Sequence, residues 1–458
     1  LKAVILAAGF GERLQPLTLT KPKPLLPVGG KPLLSYILSQ LKTLRVKEVY
    51  IVVGYLGEHI IKFFGDGKKS GLRLKYVWQE KPSGTGDALK ILDGLIDEEF
   101  IVSYGDLYLA NGVLTKVYKA YRKRKSPILV AVEVSNPEDY GVLMLDRDGK
   151  VKDLVEKPNQ PLSNLINAGV YVFNQDIFKF LSKVEKSVRG EVELTDAVRL
   201  MVKEGFNVYT VKVKSLDWLD IGKPWDLLEA NKRYLSSLRR SKIEGKIEKG
   251  VKISGLVVVE RGAILRSGVY VEGPVYIGGG SNIGPNCYLR AYTSLGRNVK
   301  VGNGCEIKNS LVMDNSKIPH LSYVGDSVIG ENCNLGAGTL VGNLRFDRRT
   351  IKMFLKGKLT DSGREKLGVI LGDNVQTGIN VSLMPGVKIG PNSQIGPNIC
   401  VYRDIPPNTR VIVEQKLKFK SLSELRKLKS FFLVYLVPYN SFLSILSESD
   451  TGLNPCFL

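Results

Sequence analysis

Residues 247–272 read IEKGVKISGLVVVERGAILRSGVYVE, and this stretch decides the fold of the C-terminal half. Every sixth residue is aliphatic, and the comb continues through Ile247, Ile253, Val259, Leu265, Val271, Ile277, Ile283, Leu289, Leu295, Val301 and Ile307. A second comb lies four residues after each tooth (Val251, Val257, Ala263, Val269, Val275, Ser281, Cys287, Thr293, Val299, Cys305, Leu311) and is mostly small or β-branched. A six-residue period suits neither an α-helix nor a plain strand. It predicts a solenoid of short strands and tight turns, each coil burying its apolar side against the next. The comb resumes at Leu371, Leu383, Ile389, Ile395 and Val401, with Thr377 interrupting. Glycine follows the aliphatic residue at Gly284, Gly296, Gly302, Gly330 and Gly390, where a corner with unusual backbone angles is expected.

This pattern resembles the hexapeptide repeat of the left-handed parallel β-helix, a fold that by resemblance assembles as a trimer. Two breaks in register stand out. One spans Ser316 to Tyr323, and after Val341 a polar excursion runs from Asn343 to Lys366. Insertions in a repeat array map to loops, and loops on a rigid scaffold are where chemistry is placed.

The N-terminal half has another rhythm. Apolar runs at Val4–Leu6, Val49–Val53, Leu74–Val77, Phe100–Ser103, Ile128–Val134, Gly169–Phe173 and Val208–Val213 alternate with helical patterns such as Leu33–Leu44, Asp87–Leu95, Leu114–Lys123 and Leu194–Lys203. Such alternation predicts a Rossmann-like α/β domain with a mostly parallel sheet, whose ligands bind at the carboxyl ends of the strands. The expected organisation is an α/β domain over 1–235, a linker at 236–246, the β-helix over 247–405 and a tail over 406–458.

Immediately after the first strand comes Leu6-Ala7-Ala8-Gly9-Phe10-Gly11-Glu12-Arg13, followed by Lys21-Pro22-Lys23-Pro24. Neither a third dinucleotide-type glycine nor a Gly-Lys-Ser/Thr is present, so the dinucleotide and Walker readings fail. Small residues there let backbone N–H groups approach phosphate oxygens, and Arg13 and Lys23 supply countercharge.

The string closely resembles the signature of the sugar-1-phosphate nucleotidylyltransferases, a resemblance that spans nearly all of residues 2–235. It implies that Leu6, Ala8, Gly9, Gly11, Gln79, Gly84 and Thr85 bind the nucleotide. It implies sugar-phosphate contacts from Gly141, Glu156, Lys157 and Asn167, and metal ligation by Asp106 and Asp220. In-line attack of a sugar-1-phosphate on the α-phosphate of a triphosphate forces two anions together. Hard carboxylate ligands with Mg2+ offset that charge, while Lys157, Lys23 and Arg13 hold the phosphates. Departures from the family pattern are Glu12 for a common Ser or Thr, Gly86 for a common Ala, and Asp220 where the bacterial bifunctional enzymes carry Asn. UTP and dTTP both stay open as substrates, since one methyl group separates them and is worth only ~1–3 kcal/mol in a pocket.

Of the two histidines, His59 reads as part of a helix start. His320 lies in His320-Leu321-Ser322-Tyr323-Val324-Gly325-Asp326, followed by Asn334-Leu335-Gly336-Ala337-Gly338-Thr339 and Asn343. This closely resembles the acetyltransferase site of the bifunctional glucosamine-1-phosphate acetyltransferase/N-acetylglucosamine-1-phosphate uridylyltransferase family, in its archaeal form. The resemblance implies that His320 is the general base for attack of an amine on acetyl-CoA, a role that suits imidazole near neutral pH. It implies that Asn334 orients the amine, Arg290, Lys308 and Tyr323 hold the sugar phosphate, Asn343 shapes the sugar pocket, and Ala337 lies along the coenzyme. In the following loop, Arg349 and Lys352 align ambiguously with a family lysine.

Composition sets wider limits. Lys and Arg number 66 against 45 Asp and Glu, a formal charge of +21 that suits phosphate-rich small molecules. No zinc-finger, homeodomain or RNA-recognition signature is present, so nucleic acid is not an expected partner. The five cysteines form no CxxC pair, and Cys287, Cys305 and Cys333 occupy small inward positions, as expected in a reducing compartment. With no signal peptide and no run of ~20 apolar residues, a cytoplasmic enzyme without membrane partners is expected. Two competing readings are a glucose-1-phosphate thymidylyl- or uridylyltransferase whose β-helix only oligomerises or regulates it, and a non-catalytic scaffold of the exchange-factor type. Arg13, Lys23, Asp106 and Asp220 argue against the scaffold, and His320 with Asn334 against a passive solenoid. The tail carries Lys416, Lys418, Lys420, Arg426, Lys427 and Lys429 and an apolar run at Phe431–Val437 with no assigned function.

Overall fold

The computed structural model describes residues 1–187 and 190–423, so the apolar run at Phe431–Val437 lies outside the described residues. Residues 1–412 form one compact unit. Among the described residues no helix is long and apolar enough to cross a membrane.

The N-terminal sheet has nine strands. Arg73–Trp78, Glu48–Val53, Lys2–Ala7 and Phe100–Tyr104 lie side by side and parallel. Beyond them the expected parallel arrangement gives way. Leu165–Phe173 runs antiparallel to Phe100–Tyr104 and to Ile128–Glu133, and Gly141–Leu145 pairs antiparallel with Val151–Glu156. Neither of these last two strands is marked by the apolar runs: Gly141–Leu145 is apolar but short, and Val151–Glu156 carries Lys152, Asp153 and Glu156 among its apolar residues. Leu165–Phe173 is buried along its whole length and forms the middle of the sheet. Helices Leu33–Thr43, Val113–Arg124 and Leu194–Lys203 coincide with the periodic segments. The pattern at Asp87–Leu95 yields only the short helix Thr85–Lys90. His59 stands exposed on helix Gly57–Phe64.

The hexads form three parallel sheets of eight, nine and eight strands, the faces of a parallel β-helix. Ile247 pairs with Leu265 and Leu265 with Ile283, so one coil is three hexads. Both combs point inward: Val257, Ala263, Leu265, Val271, Ile277 and their successors form one continuous apolar column. The first coil strand is Lys242–Ile243 and the last is Arg410–Val411, so the solenoid reaches into both the segment read as linker and that read as tail. The connector is helix Pro224–Ser236.

Two readings of the solenoid need correction. The break at Ser316–Tyr323 is no inserted loop. Strands Lys317–Ile318 and Tyr323–Gly325 sit in register, and inward residues continue as Val312, Ile318, Val324, Ile329, Leu335 and Val341. The hexad is shortened by one residue after Ile307 and again after Val324, which shifts the comb without interrupting the coil. Leu311 therefore leaves the column and joins the core between the domains, while Ser310 takes the small inward place.

The glycines at the corners also serve a different purpose. Of the five, only Gly284 has a left-handed φ, of 103°. The left-handed corners are taken by other glycines such as Gly262, Gly280 and Gly338 and by asparagines, among them Asn298, Asn315, Asn374, Asn392 and Asn408. Their side chains form ladders, Asn374 donating to Asn392 at 2.9 Å and Asn392 to Asn408 at 3.0 Å. Asparagine tolerates this region and bonds locally. Glycine is instead required by close stacking of coils: a Cβ on Gly302 would lie 1.7 Å from the Pro319 carbonyl oxygen, and one on Gly390 2.3 Å from the Pro407 nitrogen.

The two halves share a core. Leu14, Leu17, Leu26, Trp225 and Leu228 cluster with Leu311, Met313, Val328, Ile351, Met353 and Leu355. Asn231 donates to the Tyr292 carbonyl at 2.8 Å and accepts from Ser294 Oγ at 2.7 Å, and Thr20 donates to Asp373 at 2.8 Å.

Candidate active sites

The first site lies at the carboxyl ends of the parallel strands, in a cleft of about 340 Å3. Leu6, Ala8 and Gly9 line it as the strand Lys2–Ala7 ends, and Gly11 turns the chain with φ 64°. Gly11 is bound by Thr18, which donates to its carbonyl at 2.8 Å. Asp106 follows strand Phe100–Tyr104. Asp220 ends strand Trp218–Asp220, which pairs antiparallel with Leu107–Leu109 and so places Asp220 opposite Leu107. This two-stranded ribbon brings the carboxylates together. Between them stands Lys23, its Nζ 2.5 Å from Asp106 Oδ2 and 3.5 Å from Asp220 Oδ1.

Burial opposes the charge on Lys23, yet the carboxylates of Asp106 and Asp220 hold its ammonium above the usual lysine range. Burial and the neighbouring Asp106 charge raise the Asp220 carboxyl, with Lys23 pulling the other way. Asp106 Oδ1 is buried without a hydrogen-bond partner. A buried, unpaired carboxylate oxygen is costly unless a cation or donor meets it.

At one end of the cleft, Gln79 Nε2 donates to the Gly84 carbonyl at 3.2 Å and to Asp87 Oδ2 at 2.8 Å. Thr85 Oγ1 accepts from the Leu194 N–H at 3.1 Å. The segment Glu191–Glu193 closes over this end, with Val192 N–H donating to the Ser83 carbonyl at 2.7 Å. That contact explains Gly86: a Cβ there would lie 2.9 Å from the Glu193 carbonyl carbon. At the other end lie Gly141, Glu156, Lys157 and Asn167. Thr195 donates to Glu156 at 3.0 Å, and Asn167 Nδ2 donates to Tyr171 OH at 2.5 Å. Lys157 holds φ 45° and keeps its side chain half exposed. All sequence-expected residues of this site except Gly11 line the one cleft, and Gly11 lines its continuation. Sequence reading missed Glu191, Glu193 and Asp139, which also line it but belong to no motif.

The second site runs up one face of the solenoid. Tyr288, Glu306, Tyr323 and Leu340 stack as register partners in successive coils. Arg290 pairs with Glu306 at 3.0 Å. Asn343 Nδ2 donates to Tyr323 OH at 3.1 Å and to Asp326 Oδ2 at 2.6 Å, while Lys308 lies 3.5 Å from that same oxygen. Asp326, only 4% exposed, is thus the hub that fixes Lys308 and Asn343. Nothing in the sequence marks Asp326 as the buried carboxylate, so the motif by itself assigns it no role. His320 is exposed on the turn between Lys317–Ile318 and Tyr323–Gly325, its carbonyl accepting from Ser322 Oγ at 2.7 Å and the Gly338 N–H at 3.2 Å. Asn334 is exposed one coil above Lys317, and Ala337 lies in the turn that follows. Among the described residues no side-chain hydrogen bond joins His320 or Asn334 to the Asp326 cluster.

Cys287, Cys305 and Cys333 are buried free thiols, and Cys400 is exposed. Among the described residues no three His, Cys, Asp or Glu side chains cluster as metal ligands.

An α/β domain with this cleft, fused to a parallel β-helix, defines a nucleotidyltransferase with a second, solenoid module. The family described as nucleotidyl transferase matches residues 2–237, and the family described as GMPPB C-terminal domain matches residues 271–384. The "Bifunctional protein GlmU" of Methanocaldococcus jannaschii is 46% identical over 420 residues, which cover 92% of this chain and 99% of the relative. The "Bifunctional sugar-1-phosphate nucleotidylyltransferase/acetyltransferase" of Sulfurisphaera tokodaii is 46% identical over 408 residues, 88% of this chain and 98% of that one. The "Low-salt glycan biosynthesis nucleotidyltransferase Agl11" of Haloferax volcanii is 37% identical over 74% of this chain. The chain belongs to the nucleotidyl transferase family, and within it to the bifunctional sugar-1-phosphate nucleotidylyltransferase/acetyltransferases.

Proposed function

We propose that the chain makes UDP-N-acetylglucosamine in two steps, acetylating glucosamine-1-phosphate on the solenoid and then transferring a nucleotidyl group to the product in the α/β domain. The observation that carries this reading is the presence of two separate polar sites on one chain, one built around Lys23, Asp106 and Asp220 and the other around Asp326, with an exposed histidine on the turn before strand Tyr323–Gly325.

In the nucleotidyl site, Gln79, Gly84 and Thr85 hold the base of UTP or dTTP. The backbone at Leu6, Ala8, Gly9 and Gly11, with Arg13 and Lys23, holds the triphosphate. Lys157 and Asn167 place the sugar phosphate, with Gly141 leaving room beside Glu156. Asp106 and Asp220 suit Mg2+: both are hard oxygen ligands, and Asp106 Oδ1 lacks any partner. When bound, Mg2+ supplies charge neutralisation across the phosphates. The protein's part is alignment of the attacking phosphate oxygen and stabilisation of charge on the departing pyrophosphate.

In the acetyl site, Arg290, Lys308 and Tyr323 bind the sugar phosphate, and Asn343 shapes the sugar pocket. Asn334 orients the amine, His320 takes its proton as it attacks the thioester of acetyl-CoA, and Ala337 lies beside the coenzyme. We place the enzyme in the cytoplasm, in keeping with its unpaired cysteines, and as a homotrimer, in keeping with the β-helix.

The test measures coenzyme A release from acetyl-CoA plus glucosamine-1-phosphate without nucleotide, and separately pyrophosphate release from UTP or dTTP plus N-acetylglucosamine-1-phosphate. Both activities are expected. Absence of the first reduces the solenoid to an assembly module.

A further inference from the structure

The polar excursion after Val341 folds into a hairpin to which neither reaction has yet assigned a part. Strands Lys352–Leu355 and Lys358–Asp361 pair antiparallel, leaving Lys356 and Gly357 as a two-residue turn with φ of 49° and 73°. Such a turn favours Asn-Gly or Asp-Gly, and a lysine held in this region is under strain. Ile351, Met353 and Leu355 alternate with exposed Lys352 and Phe354 and anchor the hairpin in the core between the domains.

Anchored in this way, the hairpin reaches back to the signature loop of the α/β domain. Lys356 Nζ lies 2.5 Å from Glu12 Oε2, and the two side chains stay 55% and 46% exposed. A pair so exposed adds little to stability, which leaves its position as the feature to explain. Lys356 lines a cleft of about 430 Å3 that shares Gly9, Arg13, Lys23 and Asp106 with the main cleft and continues beyond them. The base end leads away toward Gln79 and the sugar end toward Lys157. The third branch, at Lys356, leads to neither end, and on the nucleotidyl-transfer reading it is what remains for the β- and γ-phosphates. In-line displacement places the leaving group opposite the attacking oxygen, and hence away from Lys157.

We infer that Lys356, delivered from the solenoid, is a phosphate-binding residue of the nucleotidyl-transfer site: it takes the β- and γ-phosphates of the triphosphate and then the departing pyrophosphate, and rests on Glu12 when neither is bound. This assignment rests on the nucleotidyl-transfer reading above. It makes Glu12, a departure from the family signature, the parking site of that lysine.

The test is the reaction of the full chain in both directions, UDP-N-acetylglucosamine plus inorganic pyrophosphate and UTP plus N-acetylglucosamine-1-phosphate, in wild type, Lys356→Asn and Lys356→Arg. Asparagine is chosen because the turn favours Asn-Gly, so the charge is removed while the hairpin is retained. The expected result for Lys356→Asn is a KM for pyrophosphate and for UTP raised about tenfold, with the KM for either sugar substrate little changed, and near-normal values for Lys356→Arg. An unchanged pyrophosphate KM in Lys356→Asn overturns the assignment. So does an equal rise in the KM of the sugar substrates, the mark of a purely structural role. A wild type that performs no pyrophosphorolysis overturns the underlying reading, and this assignment with it. Acetyl transfer, measured in the same preparations, stays at the wild-type rate if the hairpin remains folded.

Discussion

Lys23 stands 2.5 Å from Asp106, and the same ammonium lies 3.5 Å from Asp220. One cation thus holds two carboxylates that would otherwise repel across the floor of the cleft. The two carboxylates hold the Lys23 ammonium above the usual lysine range against its burial, whereas burial and the Asp106 charge raise the Asp220 carboxyl against the pull of Lys23.

Asp106→Ala removes the carboxylate with the unpartnered oxygen and half of the Lys23 clamp. Pyrophosphate release is expected to fall by roughly 100–1,000-fold or more, and coenzyme A release to remain. Both are read on one preparation by separate assays. Loss of both activities would contradict the separation of the two sites.

His320→Ala is expected to act in the opposite sense. Acetyl transfer drops by roughly 100–10,000-fold, the range for removal of a general base, while nucleotidyl transfer persists. Wild-type coenzyme A release in this variant would exclude His320 as the base.

Gly302→Ala tests coil stacking. The new methyl would lie 1.7 Å from the Pro319 carbonyl oxygen, directly beneath the turn that carries His320. The variant should lose roughly 1–3 kcal/mol of stability in a denaturant titration and lose acetyl transfer more than nucleotidyl transfer. An unaltered midpoint would mean that the coils have slack there.

Thiol chemistry reports on the column of the solenoid. Burial pushes the Cys287 and Cys333 thiols up to about 12. A thiol in the unfolded chain ionises near ~8.5, so this stabilising term is fully present below that pH and is lost as pH rises toward the folded value. Peptide mapping after alkylation of the native protein near pH 8 should show Cys400 modified and Cys287, Cys305 and Cys333 protected. Labelling of all four at equal rates would contradict the buried column.

The six-residue comb and the signature after the first strand were both legible from sequence because each is local. A hexad needs only its own side chains to declare which way they point. A phosphate loop needs only small residues and cations near a strand end. Most of the first site was legible for the same reason, since motifs at Gln79, Asp106, Lys157 and Asp220 each follow or end an element. The closing segment Glu191–Glu193 was not, because its residues carry no pattern and matter only through what they cover.

Sequence alone therefore determined the two modules, their order, and the motif residues that gather in the first cleft, because periodicity and short motifs are properties of neighbouring residues. Only the tertiary structure decided that the register break is continuous coil, that the corner glycines answer to stacking, and that Asp326 is the hub of the second site. It also decided that Lys356 of the solenoid reaches Glu12 in the loop after the first strand. Each of these depends on contacts between residues far apart in the chain. Such contacts form only once the shared core at Leu14, Trp225 and Met353 has fixed one domain against the other.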